Sequence, residues 1–274
     1  MVLPASVGYG SLGLLTRARG LYGTTLGRVS FAITDTVYPF LPRVRGDRVR
    51  FAEVAALYCQ VIVWLAVPSA LFVGLEGPHL SRALYGTRWI AMDPLIWPGA
   101  VGGFATSVLV TALGIALAAN RLRATLTVEV LSAVLSASTL LVAWRYQATL
   151  PYAWAVSAAQ SVSAGIALAY ASRFMRDGWW QDVLTPAVTS GAISSVVVLG
   201  ARALVPGRSP IAALALSAFV MALSTGLALR FVFADSLGRL LDALPGGARF
   251  RTRLGGLGGW ALLPSAAAHT VRTS

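Results

Sequence analysis

Charged residues divide this chain into long apolar runs, and the pattern predicts a series of membrane-spanning helices. Val54 to Leu75 carries no charge over 22 residues, and Pro94 to Asn120 carries none over 27. An α-helix rises about 1.5 Å per residue, so roughly 20 such residues cross a hydrocarbon core. Seven spans are predicted, at approximately 24–41, 53–76, 94–119, 124–144, 150–171, 184–204 and 210–231.

The first of these spans, 24–41, differs from the others because it carries charge within its length. Read as a helix, it places Thr24, Arg28, Asp35 and Tyr38 on one face, at steps of three or four residues. A polar face at bilayer depth is unfavourable against lipid but suits a wet cavity. We therefore predict that these four residues line a cavity and contact the substrate.

Two of these residues have a second interpretation that the sequence leaves open. Asp35 lies near an interface if the helix starts later than Thr24, and its carboxylate then needs no cavity. Arg28 either clasps an anionic headgroup, since a guanidinium matches a phosphate group well, or extends to the external interface.

The remaining candidates are one acid and three prolines. Glu129 follows Arg123 by six residues, which favours snorkelling or helix capping over a cavity role, although we keep it as a cavity candidate. Pro39, Pro42 and Pro68 predict kinks, and kinked helices are where transporter bundles rock.

The arginines on alternate loops predict the orientation of the chain. One side receives thirteen, in 43–50, 121–123, 173–176 and the tail, whereas the other side receives six. Cytoplasmic loops are the arginine-rich ones, so the C-terminus is predicted to be cytoplasmic, in a multi-pass protein of the cell membrane. Three regions follow: an external N-terminal segment without a span at 1–23, a helical bundle at 24–233, and a mostly disordered basic tail at 234–274.

The composition supports a membrane protein and gives no indication of catalysis. Hydrophobic residues make up 57% of the chain and charged residues 12%, about half the charged fraction of a soluble domain. The net charge of +12 comes from arginines spread between apolar runs, which indicates loop arginines and no nucleic-acid partner. The single cysteine, Cys59, excludes an intramolecular disulfide.

Motifs that bind nucleotides or carry out hydrolysis are missing from the sequence. It contains no H-E-x-x-H, no G-x-x-x-x-G-K-[ST] and no G-x-S-x-G. His79 is predicted in an external loop at 76–94 and His269 in the cytoplasmic tail, so the two histidines cannot share a metal. We predict a protein that is not an enzyme and that uses no cofactor and no metal.

Three motifs give the chain a resemblance to a known family. AITDTVYPFLPRVRGDRVRFAE (Ala32–Glu53) resembles the aromatic-proline span and basic loop of polysaccharide flippases in the MOP (multidrug/oligosaccharidyl-lipid/polysaccharide) exporter superfamily. The run LYGTRW at Leu84–Trp89, followed by Asp93-Pro94-Leu95, is similar to the link between the next two helices. GYGSLGLLTRARGLY, from Gly8, resembles the segment before the aromatic-proline span.

The resemblance implies an all-α membrane protein of about seven transmembrane helices, equivalent to one half of a MOP/MATE-like transporter. Such proteins move lipid-linked oligosaccharides between leaflets during polysaccharide biosynthesis in the cell envelope. A chain with only the second bundle needs a homodimer or a partner chain for the first bundle, unless it is a truncated product.

Other functions stay open alongside flipping of a lipid-linked glycan. They are a cation-coupled multidrug exporter half, a non-transporting scaffold of a glycan-assembly complex, and a membrane-bound glycosyltransferase or acyltransferase. The last needs paired acids or histidines in a loop, where the sequence offers only scattered Asp93, Asp177 and Asp182.

Overall fold

The computed structural model describes residues 8–24, 38–204 and 210–231. Over these residues the chain is helical and contains no strand, which confirms the all-α prediction for this part. Four 3-10 turns lie between the helices, at Tyr38–Phe40, Pro42–Val44, Thr87–Met92 and Ser172–Phe174. The seven α-helices are α1 (Tyr9–Thr24), α2 (Arg48–Tyr85), α3 (Asp93–Ala118), α4 (Leu122–Tyr146), α5 (Thr149–Ala171), α6 (Trp179–Leu204) and α7 (Pro210–Phe231).

Within the described residues, four segments are long and apolar enough to cross a membrane, which indicates a membrane protein. They are α2, α3 with the turn before it, α4, and α6 as far as Gly200. The predicted spans at 150–171 and 210–231 are also helices, α5 and α7. The 23 residues of α5 are long enough but less apolar than the four segments, and in α7 the described apolar stretch is the shorter Leu214–Leu227. That these two cross the membrane stays a prediction, as does the orientation of the bundle.

The N-terminal region contains a helix that the sequence analysis did not predict. Helix α1 occupies Tyr9–Thr24 and buries Ala18 and Leu21 completely. Its 16 residues are fewer than a membrane crossing needs, so the absence of a span at 1–23 stays a prediction. Its apolar residues repeat at helical spacing, and burying them against α3 outweighs the low helix propensity of its glycines. Most of the predicted first span, at 25–37, lies outside the described residues.

The described ends of that predicted span belong to different elements. Thr24 is the last residue of α1, whereas Tyr38 and Pro42 lie in two short 3-10 turns. Proline has no N–H to donate, so Pro39 and Pro42 favour turns over a continued α-helix. A single helix from Thr24 to Leu41 was therefore wrong at its C-terminal end.

Helix α2 extends further than the sequence indicated. Its first turn is capped by Asp47, whose carboxylate accepts hydrogen bonds from the N–H groups of Val49 and Arg50, both at 3.1 Å. A polar loop was predicted from Glu76 to Pro94, but α2 continues to Tyr85 and ends at Gly86, whose φ is +84°. The helix continues because one face of this extension is buried against the bundle.

Helix α2 is the centre of the bundle, packing against α3 on one side and against α6 and α7 on the other. Helices α1 and α5 pack on α3, and α4 packs mainly on α5. We call the end of the bundle at which α2 finishes and α3 begins the Asp93 end. Arg202 of α6 and Ser217 of α7 meet Glu76 near this end, so the C-terminal end of α6 and the N-terminal part of α7 lie there too.

Two glycines allow the helices to approach α2 and α3 closely. A Cβ on Gly191 of α6 would lie 2.8 Å from Leu71 and 2.9 Å from Val67 of α2. A Cβ on Gly77 of α2 would lie 2.2 Å from the Ile96 side chain of α3. The hydrophobic effect does not drive helices together inside lipid, so membrane helices depend on close van der Waals packing, which small residues at such contacts allow.

Gly191→Leu is therefore expected to force α6 away from α2 and destabilise the protein. Overpacking of this kind costs about 1–3 kcal/mol, which should appear as a lower midpoint of thermal unfolding in detergent. Labelling of Cys59, which is buried, with a thiol-reactive dye reports the transition. Gly200→Leu on the same helix is the control, because a Cβ there meets nothing within 4 Å. Equal midpoints for the two variants would contradict this account of the α2–α6 contact.

Candidate functional site

The residues predicted to line a cavity are only partly within the described chain. Arg28 and Asp35 lie outside it, and so does the side chain of Thr24 at the end of α1. Tyr38 is half-buried, and its ring approaches α3 to within 3.6 Å of where a Cβ on Gly114 would stand. The four-residue polar face therefore stays a prediction.

The other predicted site residues lie apart from one another. Glu129 is exposed on α4, and the described part of the chain gives its carboxylate no ion pair. Pro39 and Pro42 are exposed in the two 3-10 turns, whereas Pro68 is buried within α2. Without the N–H of Pro68, the carbonyl of Trp64 loses its helical donor, although α2 continues through this point.

The structure reveals a charged cluster that the sequence analysis missed, centred on Glu76 of α2. This side chain is 1% exposed, yet it belongs to a helix of membrane-spanning length. Ser217 of α7 donates a hydrogen bond to Glu76 Oε1 at 2.9 Å, and Arg202 Nε of α6 lies 3.7 Å from the same oxygen. Nδ1 of His79 lies 3.2 Å from Oε2. We call these four residues the Glu76 cluster.

The helices bring these four side chains together in a simple way. Glu76 and His79 are three residues apart, so they share one face of α2. Arg202 lies in the last turn of α6 and also donates from Nη1 to the carbonyl of Leu75 at 3.4 Å. Three helices therefore converge on one carboxylate.

The contacts to this carboxylate are not equally strong. The bond from Ser217 has normal hydrogen-bond geometry, whereas Nδ1 of His79 is close to Oε2 without the alignment of a hydrogen bond. The Arg202 contact, at 3.7 Å, is an ion pair, and the Arg202 side chain remains 38% exposed. Because a buried carboxylate is unfavourable without partners, Arg202 and Ser217 together are what allow Glu76 to be buried.

A second polar cluster links α6 to α7 further from the Asp93 end. The hydroxyl groups of Ser194 and Thr225 lie 2.8 Å apart, and Ser224 donates to the Ser194 oxygen at 2.9 Å. Hydroxyl contacts between membrane helices contribute about 0.6 kcal/mol on average. This hydroxyl cluster therefore strengthens the pairing of α6 with α7.

The Asp93 end also carries an interfacial group of charges and rings. Arg82 of α2 forms an ion pair with Asp93 of α3 at 3.0 Å, and the Arg17 guanidinium lies 5.6 Å above the Tyr85 ring. Aromatic and basic residues are typical of the zone between lipid and water. In the described residues no three histidine, cysteine or acidic side chains lie together as a metal site would require.

The sequence did contain a signal for the Glu76 cluster. Glu76 follows directly on the uncharged run Val54–Leu75, where it was interpreted as the start of a loop. Arg202 stands inside the predicted span 184–204, two residues from its end, where an arginine either extends to the interface or pairs with an acid. The placement of His79 in a loop was wrong, because α2 continues through it, whereas its position on the external side stays a prediction.

Because Arg202 is needed to neutralise Glu76, Arg202→Gln is expected to lower the midpoint of thermal unfolding. Removing one partner of a buried pair lowers the free energy of unfolding by about 3–5 kcal/mol. Because Arg202 is partly exposed, we expect a loss at the lower end of that range or below it. Adding Glu76→Gln should restore part of the loss, since no charge is then left unpaired. The double-mutant cycle should give a coupling energy above about 0.5 kcal/mol, whereas additive effects would contradict the pairing.

Comparison with known proteins leaves the family open. No protein-family model matches the chain, and the search of curated proteins finds no match. The likeness to MOP flippases therefore depends on the three motifs in the sequence, the longest of which is Ala32–Glu53.

Proposed function

We propose that the chain is one helical bundle of a membrane transporter that moves a lipid-linked oligosaccharide across the cytoplasmic membrane. The observation that supports transport is the buried Glu76 carboxylate, contacted from α6 and α7 within an otherwise apolar bundle. Ionisable groups in membrane helices are rare and unfavourable, and they typically mark substrate paths or coupling sites. The choice of substrate rests on the motif resemblance.

The physical task of such a protein is to replace the hydration of a sugar–diphosphate headgroup. Each polar group that enters hydrocarbon without new hydrogen-bond partners costs several kcal/mol of transfer free energy. Arg28, Asp35, Tyr38 and Thr24 would supply those partners on the polar face predicted for 24–41, while the prenyl chain stays in the lipid. Alternating access would then come from the rocking of one bundle against another.

A complete cavity would require a second bundle. In this proposal it comes from a second copy of the chain or from a partner chain, and the C-terminal tail faces the cytoplasm. If the chain instead serves as a scaffold for glycan assembly, it would bind such partners without moving lipid.

A cation-coupled multidrug exporter is the second candidate, and Glu76 is the observation that favours it. A buried carboxylate that can exchange its partners is what coupling to a proton or metal cation requires. The two candidates differ in cargo, so a drug-susceptibility profile without a glycan defect would favour the exporter.

The proposed flippase activity predicts that loss of the gene leaves lipid-linked sugar in the inner leaflet. A leaflet-specific assay, in which an enzyme or lectin reaches only the outer leaflet, measures that accumulation. Asp35→Asn and Arg28→Gln should each reduce outer-leaflet precursor by about tenfold or more, since each removes a charge-assisted contact. Glu53→Gln is the control, because Glu53 is an exposed acid outside the predicted cavity. Normal leaflet distribution in the deletion strain would exclude flipping.

A further inference from the structure

Two helix connections meet at the end of the bundle opposite the Asp93 end. Helices α3 and α5 pack along each other, and each is followed at this end by a short connection, at 119–121 and at 172–178. Phe174 of the second connection lies beside Arg121 of the first, whose Cζ is 5.9 Å from the centroid of the ring. The backbone of Arg121 is held in place, because its N–H donates to the carbonyl of Ala116 at 3.0 Å. The two connections therefore share one surface.

An aromatic pair at this surface carries one arginine on each of its rings. The ring centroids of Tyr170 and Phe174 lie 5.6 Å apart in an edge-to-face arrangement. The guanidinium of Arg121 lies over Phe174, and that of Arg173 lies over Tyr170 at 5.6 Å. Both rings are half-buried, and Phe174 packs against the main apolar core, whereas both arginines are exposed. We call these four residues the Arg121 patch.

The guanidinium groups of the patch are available to a ligand. A ring attracts a cation through its π face but supplies no carboxylate or carbonyl oxygen to accept a hydrogen bond. Within the described residues, neither Arg121 nor Arg173 has an acidic partner at ion-pair distance. Each guanidinium therefore keeps its positive charge and its N–H donors for an external acceptor.

The acids at this end of the bundle do not neutralise the patch. Asp47 caps α2, and Asp182 is paired with Arg176. Glu53 and Asp177 are exposed, and neither forms an ion pair with a described residue. The patch therefore presents positive charge to its surroundings, which favours an anionic ligand.

We propose that the Arg121 patch binds the phosphate group of an anionic phospholipid at the interface between lipid and water. Arg121 directly precedes α4, a helix of membrane-spanning length, and Arg173 follows the end of α5 by two residues. Both guanidinium groups therefore stand at the level of the lipid headgroups when α4 crosses the bilayer. A guanidinium donates two parallel hydrogen bonds to phosphate oxygens, and a tyrosine such as Tyr170 is typical of this zone.

A phospholipid suits this position better than a soluble anion does. Its acyl chains hold its phosphate at the membrane surface, so the local concentration of phosphate beside the patch is high. A lipid bound there stabilises the surface shared by the α3–α4 and α5–α6 connections, because it binds the folded arrangement and not the separated helices. Lipid binding at the patch does not depend on the proposed cargo, because it follows from these two connections alone.

Native mass spectrometry of the full chain in detergent micelles, titrated with single lipids, tests this site. We expect the first phosphatidylglycerol to bind at least about tenfold more tightly than phosphatidylcholine with the same acyl chains, because only phosphatidylglycerol carries a net negative charge. Arg121→Gln and Arg173→Gln should each weaken phosphatidylglycerol binding about fivefold, the contribution expected of one arginine near an anionic lipid surface. Neither substitution should change the binding of phosphatidylcholine.

Two other arginines supply matched controls. Arg145 also lies over a ring, that of Tyr146 at 5.9 Å, but it belongs to the last turn of α4 at the Asp93 end. Arg48 is an exposed arginine at the same end as the patch, in the first turn of α2. Arg145→Gln and Arg48→Gln should change phosphatidylglycerol binding by less than about twofold.

Equal binding of the two lipids would overturn the site, and so would an equal loss of phosphatidylglycerol binding in the patch variants and the controls. Glycerol phosphate is the soluble competitor, and displacement of the lipid by glycerol phosphate at a similar concentration would show a site for free phosphate instead. The lipid-free variants should unfold at the same temperature as the parent chain, which separates lost binding from lost folding.

Discussion

A carboxylate inside a stack of apolar helices loses most of its hydration, so the protein must supply its partners. Glu76 imposes this constraint on the bundle, because it is almost fully buried on the central helix. Its partners come from helices far along the chain; Ser217 is 141 positions away. The docking of α6 and α7 on α2 is therefore determined by charge at one end, and by apolar packing along the rest.

Helix α2 can organise the bundle because it is longer than a membrane crossing requires. Its 38 residues extend about 57 Å, compared with a hydrocarbon core of about 30 Å. The excess carries the Asp47 cap at one end and the Arg82–Asp93 ion pair at the other. The polar contacts of α2 thus concentrate toward its two ends, while Pro68 and the close contact with Gly191 lie in its middle.

Hydropathy predicted most of the fold because charge-free runs of membrane length have few alternatives to helix. The helices from α3 to α7 lie within a few residues of the predicted spans. The same reasoning failed at Glu76, since it interpreted an acid directly after an uncharged run as the start of a loop and cannot see that another helix neutralises that acid. It gave no helix at α1, because glycines there lowered the apparent hydrophobicity of a short segment in which Leu15 and Leu21 are buried. Of the predicted site, only Tyr38, Glu129 and the prolines could be placed, and they do not meet.

The position of α2 connects the predicted cavity to the Glu76 cluster. The chain leaves the predicted polar span at Tyr38, passes the arginine loop, and enters α2 directly after Asp47. A helix transmits displacement along its axis because its backbone hydrogen bonds are internal and local. A displacement of α2 would therefore also change how α2 packs against α6 and α7 at the Glu76 cluster. In a transporter, cargo that binds one position of this helix more tightly than another would shift α2 toward that position, because a ligand moves an equilibrium only by its differential affinity.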